Sequence, residues 1–550
     1  MKALRAAFVA VALIVMALPC ALMPVMPSTL GAENRLPAEW PSLKTDEGKF
    51  NADYPDQYEA WLQDHVALRS LWIGLHSRIL RALGTSSQEM VVLGKGDWLF
   101  YRDMLNDYTG AEPLSENEIA RMALVLDTVD KGLRDGGSSL TVAVIPNKGS
   151  IYPEQMLDIY PHRETPGTLE QLRKMAHVTF VPMQETLYAQ RDKGLYFHGD
   201  VHWNGLGARI GANRILEALS EATSVALPSP DPEDEYEVRQ DWPGDLTRML
   251  DPYSTECEPQ QYYSDAFSFK YKKRPRSPED LTINTSGGEA PVNLLVLRDS
   301  FTNQMLEYIG NAAQNVAFLR AMPLPLKNGA AFDAVLLEMV ERRLPELLLA
   351  PPDMPAPAAD APEKLGDAAT VDVRLETDGG RLYGALAEAP AHITEVSLGV
   401  RSESGEVWYS AFPVSGVEED GDRGFSAMVE ELPAGAEVCV YMRGDTAVRS
   451  DWTPVSVEEP VPAKGGGGAE AADEDKDANA NSLAALMKQN QKPADDAREA
   501  SDADKDAAAN NLAELMKQNQ KPADDAGEAS DADKDAAAGN LAELMKQNKQ

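Results

Sequence analysis

Cysteine and histidine are scarce in this sequence, three and seven among 550 residues. Cys20 sits inside an apolar N-terminal run, and Cys257 and Cys439 fall in segments that read as different domains. A disulfide framework is therefore not the source of stability, which must come from buried apolar surface. Basic charge is also in deficit: 51 Lys and Arg face 88 Asp and Glu, a formal net charge of −37. Affinity for a phosphate backbone comes largely from Lys and Arg displacing counterions, so this balance argues against a nucleic-acid partner. The tail from Ala469 holds 19 acids and 10 bases, too small an excess to explain the total, and the acidity belongs to the whole surface.

What is present begins with Lys2 and Arg5, followed by an apolar run from Ala6 to about Met26. This pattern reads as an export signal. About twenty apolar residues also suffice to span a bilayer, so residues 1–32 are expected to be a signal peptide or a retained membrane anchor, with the folded part exported. Pro19 before Cys20 is wrong for a lipoprotein signal, and Cys20 reads as a small apolar residue.

Trp61, Leu68, Trp72, Leu75, Ile79 and Leu83 recur at spacings of three, four and seven, which predicts an amphipathic helix stopped by Gly84. The stretch "MVVLGKGDWLFYRD" then reads as a hairpin. From Ser139 to Arg343 the apolar runs "LTVAVIP", "VTFVPM", "VNLLVL", "NVAFL" and "FDAVLLEMV" alternate with helical patterns. Such alternation predicts an α/β fold, a parallel sheet covered by helices, with reactive residues at the carboxyl ends of the strands. A Pro/Ala-rich linker is expected over residues 350–369. Short alternating runs from 370 to 458 predict a small β-sandwich. Residues 459–550 form an acidic low-complexity tail that favours disorder, with "LAxLMKQN" repeats at Leu483, Leu512 and Leu541. Each repeat reads either as a short docking helix for a partner or as part of a solvated tail.

The stretch "HGDVHWNGL" gathers His198, Asp200 and His202. In an extended segment alternate side chains share a face, and three such ligands would suit a catalytic zinc, but a helical pattern begins just after His202 and no fourth ligand is evident. The other reading pairs Asp200 with His202, the carboxylate fixing the tautomer so that the far ring nitrogen takes a proton. Ser300, in "VNLLVLRDSFTNQML", sits where a strand turns into a helix. It reads equally as a nucleophile with its N–H near a helix start or as a plain helix cap.

These motifs carry a resemblance. "DVHW" before a glycine-containing helix, "RDSF" at a strand end, "GKGDWLFY" and "IPNKGSIYPEQM" are similar to those of the alginate-type O-acetyltransferases of the AlgX/AlgJ kind, SGNH-hydrolase-like proteins. The resemblance runs from about Glu33 to Leu349 and includes "WLQDHVALRS" and "EMVER". It implies an SGNH-hydrolase-like domain over 33–349 with Ser300 as nucleophile, His202 as base and Asp200 as its orienting partner, needing no cofactor. Arg298 stands where ordinary SGNH hydrolases carry a glycine before their Asp-Ser pair. Lys148, Tyr152, Arg298 and Arg342 are the expected substrate or oxyanion contacts, against plainer readings as turn or ion-pair residues. Trp408, Tyr409 and Tyr441 are set against core packing as sugar-stacking residues of the sandwich. The implied activity is O-acetylation of an exported polysaccharide, with acetyl supplied by a multi-pass membrane acyltransferase. A deacetylase or esterase with the same triad, and a non-catalytic polysaccharide-binding scaffold, remain the alternatives.

Overall fold

The computed structural model describes residues 38–455 except 46–47, 379, 416–421, 431 and 434, together with nine positions before residue 27. The predicted export segment lies largely, and the repeat tail entirely, outside the described residues. Among the described residues no helix is long and apolar enough to cross a membrane.

The amphipathic pattern forms two helices, α1 (Tyr54–His65) and α2 (Arg69–Ala82), instead of one. The chain breaks at Leu68, whose φ of 61° lies in the left-handed region and cannot continue a helix. The predicted hairpin follows, β1 (Val91–Leu93) antiparallel to β2 (Leu99–Tyr101). Helix α3 (Glu116–Asp135) opens on a reciprocal capping box: Ser115 Oγ accepts from Glu118 N–H, and the Glu118 carboxylate accepts from Ser115 N–H.

The five apolar runs become β3 (Leu140–Ile145), β4 (Thr179–Phe180), β9 (Ala290–Leu297), β10 (Ala313–Leu319) and β11 (Ala334–Val340). Between β4 and β9 lie α4 (Gly205–Thr223), β5 (Tyr236–Trp242), β6 (Glu258–Tyr263), β7 (Lys270–Tyr271) and β8 (Thr282–Ser286), and α5 (Leu306–Ala312) precedes β10. The sheet order is β4-β3-β11-β9-β10-β8-β7. The five predicted strands pair in parallel, whereas β8 and β7 add on antiparallel, so the sheet is mixed rather than purely parallel. Strands β3 and β11 are buried along their whole length, which explains why they read as unbroken apolar runs. Helix α4 covers them, with Ile210, Ile215, Leu216 and Leu219 in the core.

Two further sheets make a sandwich. One runs in the order 358–359, 405–410, 395–402, 437–443, 447–449, 369–370, and the other in the order 373–378, 381–386, 424–428, 412–414. Leu382, Leu386 and Phe425 of the second meet Leu398, Val400, Val440 and Met442 of the first in one apolar layer. The Pro/Ala-rich stretch is not a free spacer. Ala358–Ala359, strand β12, pairs with Tyr409 and Trp408, and Ala356 N–H donates to Met428 O at 2.8 Å. Met354 and Pro357 lie so close to Gly132 of α3 that a β-carbon there would meet both within 3 Å.

The α/β layers and the sandwich form one compact unit. A fully buried arginine ties them: Arg121 of α3 donates to Asp422 Oδ1 at 2.6 Å, to Ser415 Oγ and to Val414 O, while Asn117 Nδ2 donates to Asp422 Oδ2 at 2.6 Å. Breaking a buried pair strands its partners, although Asp422 keeps some access to water. Arg121→Ala is expected to cost about 2–4 kcal/mol in denaturant unfolding; a change below about 0.5 kcal/mol would mean that the tie is decorative.

Candidate active site

Three parallel strands end side by side and present Asn147 after β3, Arg342 after β11 and Ser300 after β9. Buried acids lace these ends together. Glu341 Oε2 accepts from Asn147 N–H at 2.9 Å and Ser150 Oγ at 2.6 Å. Asp299 accepts from Phe301 N–H at 2.9 Å and Val340 N–H at 2.8 Å. Glu338 Oε2 accepts from Asp299 N–H at 3.0 Å and Thr302 Oγ1 at 2.6 Å. Burial, reinforced by the neighbouring Asp299 charge, pushes the Glu338 carboxyl well above the usual carboxylate range.

Asp299, not Ser300, caps the turn that follows β9, a five-residue 3-10 segment Ser300–Gln304 rather than the predicted regular helix. The serine side chain is thereby released from capping. Its Oγ lies 2.8 Å from His202 Nε2, and His202 Nδ1 lies 2.6 Å from Asp200 Oδ1. Asp200 accepts and cannot donate when ionised, so Nδ1 carries the proton and Nε2 is left to accept from the serine. The N–H of Ser300 opens the turn, ahead of any intra-turn acceptor.

Indole and amide contacts fix the two halves. Trp203, fully buried, donates from Nε1 to Phe301 O at 3.1 Å, and its own carbonyl accepts from Gln304 Nε2 at 2.8 Å. Gln260 on β6 joins the same net, donating to Gln304 Oε1 and accepting from Gly205 N–H, each at 2.9 Å. The residue after the histidine is thus bonded to the residue after the serine.

Asp200 is 2 % exposed and accepts four N–H groups: His202 N and Nδ1, Trp242 Nε1 at 2.9 Å and Asp245 N at 3.2 Å. Burial alone would raise its pKa, but the bond to His202, the imidazolium charge and the remaining donors hold it well below the usual range. For His202, burial disfavours the charged ring, yet Asp200 and then Asp245 outweigh it and raise the pKa. Asp245 faces His202 Nδ1 at 3.7 Å. Burial and the Asp200 charge push its carboxyl up to about 7, although two-fifths of its side chain reaches solvent. Trp242 and Asp245 were invisible as site residues because they lie at the end of β5 and in the turn after it, an excursion far from any motif. Only the tight "WPGD" turn signals that the chain changes direction there.

The alternating His198, Asp200 and His202 do not converge. His198 turns to Asp97, with Nδ1 3.0 Å from Oδ2, and stacks on Trp98 at 4.2 Å. Asp200, His202 and Asp245 instead bring ligand-type atoms within 4.8 Å of one another. A metal there would have to displace the N–H donors that already fill Asp200.

The other predicted contacts divide. Arg342 lies beside the triad, donating to Asn147 Oδ1 at 3.3 Å, with its guanidinium carbon 5.9 Å from the Phe301 ring centre. Lys148 is turned inward: its ammonium donates to the carbonyls of Phe197, His198 and Asp200 at 3.0, 2.7 and 2.7 Å and braces that loop. Burial lowers its pKa to about 8 against the pull of the surrounding acids. Tyr152 likewise spends its hydroxyl on Leu195 N–H and Arg191 O. The buried Arg298 guanidinium donates to Asn303 Oδ1 and to the carbonyls of Asp299, Pro278 and Asp280, bracing the turn. Trp408 is 3 % exposed and Tyr441 fully buried, so neither can stack on a sugar; Tyr409 is partly buried against the sandwich core.

Residues 91–287 match the family model described as "SGNH hydrolase-like domain, acetyltransferase AlgX". Residues 91–287 are thus similar to an SGNH hydrolase-like domain of the AlgX kind. The match stops before Ser300, so the approach of that serine to His202 is an observation of the structure. The probable alginate O-acetylase AlgJ of Pseudomonas putida is 28% identical over 167 residues, 29% of this chain and 42% of that protein. Its counterpart in Pseudomonas syringae pv. tomato is 24% identical over 252 residues, 44% of this chain and 60% of that protein. The matched segments thus span about half the length of these relatives. The solved O-acetyltransferase domain of Pseudomonas putida AlgJ is 23% identical, with a TM-score of 0.30, covering 46% of this chain and 92% of that one.

Within this domain, removing the Asp245 charge should weaken the imidazolium. An NMR titration of the labelled His202 ring is expected to give a lower pKa in Asp245→Asn than in the parent. It should also give a simpler curve, because the second coupled carboxyl is gone. An unmoved His202 titration would separate Asp245 from the triad.

Proposed function

We propose that this protein is an extracytoplasmic O-acetyltransferase that esterifies an exported polysaccharide through acetyl-Ser300. The supporting observation is the chain of contacts Ser300 Oγ to His202 Nε2 to Asp200, at 2.8 and 2.6 Å, at the carboxyl end of β9. In the first half-reaction Ser300 Oγ attacks the donor's acetyl carbonyl while His202 Nε2 takes the hydroxyl proton. The tetrahedral oxyanion collapses, His202 returns the proton to the leaving group, and an acetyl ester remains on the serine. In the second, a sugar hydroxyl attacks that ester, His202 removes its proton and passes it to the departing Ser300 Oγ. Asp200 stays ionised and supports the imidazolium formed in each half. In this scheme the Ser300 N–H, at the start of the turn, donates to the oxyanion, and Arg342, close enough to act on His202, supplies positive charge. The scheme calls for no cofactor.

In this reading residues 33–349 are the catalytic part and 370–458 an accessory sandwich. A multi-pass membrane acyltransferase hands over the acetyl group, the N-terminal apolar run holds the chain at the inner membrane on the periplasmic side, and the repeats at Leu483, Leu512 and Leu541 await a partner. Incubation with an aryl acetate and an oligosaccharide tests the chemistry. The parent should show an acetyl adduct on Ser300 by mass spectrometry and acetylated sugar as product. Ser300→Ala should fold normally and lose the adduct, with turnover down by at least about 10³-fold. An undiminished adduct refutes the assignment, and free acetate as the sole product moves the reading to an esterase.

A further inference from the structure

Eight of the 17 large apolar side chains exposed among the described residues lie between Trp40 and Leu83. Four of them form one stripe along α2 and its C-cap: Leu71, Leu75, Ile79 and the capping Leu83 follow one another at i+4 steps and are 59, 44, 51 and 73% exposed. The helix docks on the body by the opposite side, where Gly74 and Ser77 are buried. A β-carbon at Gly74 would lie 2.7 Å from Asp251 Oδ2, so this contact is close. The leucine stripe is therefore turned outward because the small residues are turned inward.

Charge separates this helix from the rest of the chain. Its 14 residues contain Arg69, Arg78, Arg81 and His76 and no acid, in a protein of net charge −37. An apolar stripe flanked by arginines is the composition of a helix lying in the interface of an anionic bilayer. The rest of the acidic surface is repelled by such a bilayer, which makes this face the one that turns toward it. The apolar run ending at about Met26 is 43 residues upstream of Arg69, a short tether for raising the local lipid concentration.

We propose that α2 is a second membrane contact, lying flat on an anionic lipid surface with Leu71, Leu75, Ile79 and Leu83 in the acyl boundary and Arg78 among the headgroups. The contact has a consequence for the site. Asp251, against which α2 packs, immediately follows the helical turn Asp245–Leu250, whose first residue faces His202. Lipid contact then fixes the orientation of the wall that carries Asp245. The proposal is independent of the acetyl chemistry, and its test reads lipid proximity rather than turnover.

The full chain, with Cys20→Ala and Cys257→Ser and the buried Cys439 retained, is given a nitroxide at Leu75→Cys, Ile79→Cys or, as a control on the sandwich, Val407→Cys. It is reconstituted in vesicles of phosphatidylethanolamine with phosphatidylglycerol, or of phosphatidylcholine alone. Power saturation should show labels 75 and 79 accessible to oxygen and shielded from a water-soluble nickel chelate in the anionic vesicles. Shielding should be weaker in phosphatidylcholine, and label 407 should stay exposed to nickel in both. Arg78→Glu should erase the difference between the two compositions at label 75. Nickel access at 75 and 79 in anionic vesicles overturns the proposal, as does equal shielding in both lipids. Shielding already present in detergent would assign the face to another segment of this chain or to a second copy. Shielding that appears only with added membrane protein would assign it to a protein partner, and either result also overturns the proposal.

Discussion

The site depends on one buried negative charge. Asp200 has almost no contact with water, and an isolated carboxylate in that position would take up a proton. Four N–H groups keep it ionised, and they come from three places in the chain: the Asp200–His202 turn itself, Trp242 and the start of the Asp245 turn. The charge therefore recruits its own scaffold. It selects the His202 tautomer, leaves Nε2 free to accept from Ser300, and makes β5 and the turn after it part of the site although neither touches the serine. The buried Lys148 ammonium works in the same direction, holding three carbonyls of the loop that leads into Asp200.

A second constraint is the spacing of strand ends. Ser300 reaches His202 because β9 lies beside β11 and β11 beside β3, and because Asp299 takes over the capping of the turn. Trp203 and Gln304 then cross-bond the two segments. Positional accuracy here comes from buried hydrogen bonds to main chain, which tolerate less movement than apolar contacts do.

Much of this was legible because buried parallel strands leave unbroken apolar runs. The five parallel strands of the sheet were readable from the chain, and so were the hairpin at Val91–Tyr101 and the short segments carrying Asp200, His202 and Ser300. The antiparallel additions β7 and β8 escaped notice because they are short and half-exposed and show no period. Side-chain direction was the other gap. Lys148 and Arg298 sit in the expected loops, but their charged ends turn to carbonyls, a choice set by unsatisfied acceptors that only the folded chain brings near. Tyr441 lies on a strand buried on both faces, so alternation did not reveal an exposed side, and Trp408 packs against it and Cys439 from the neighbouring strand. Leu68 hid a break inside a continuous helical pattern, because a left-handed leucine leaves no compositional trace.

Strand β12 changes what counts as a separable part. Two alanines from the stretch leaving the α/β layers occupy the outer edge of the sandwich and satisfy main-chain groups of the strand 405–410, while Met354 and Pro357 press on α3. The sandwich is thus finished by residues that precede it. An edge left open would offer unpaired N–H and C=O groups to any passing strand. Domain shuffling at this junction must consequently carry residues 352–359 along with the sandwich, and a graft beginning at 370 would deliver a sheet with a raw border.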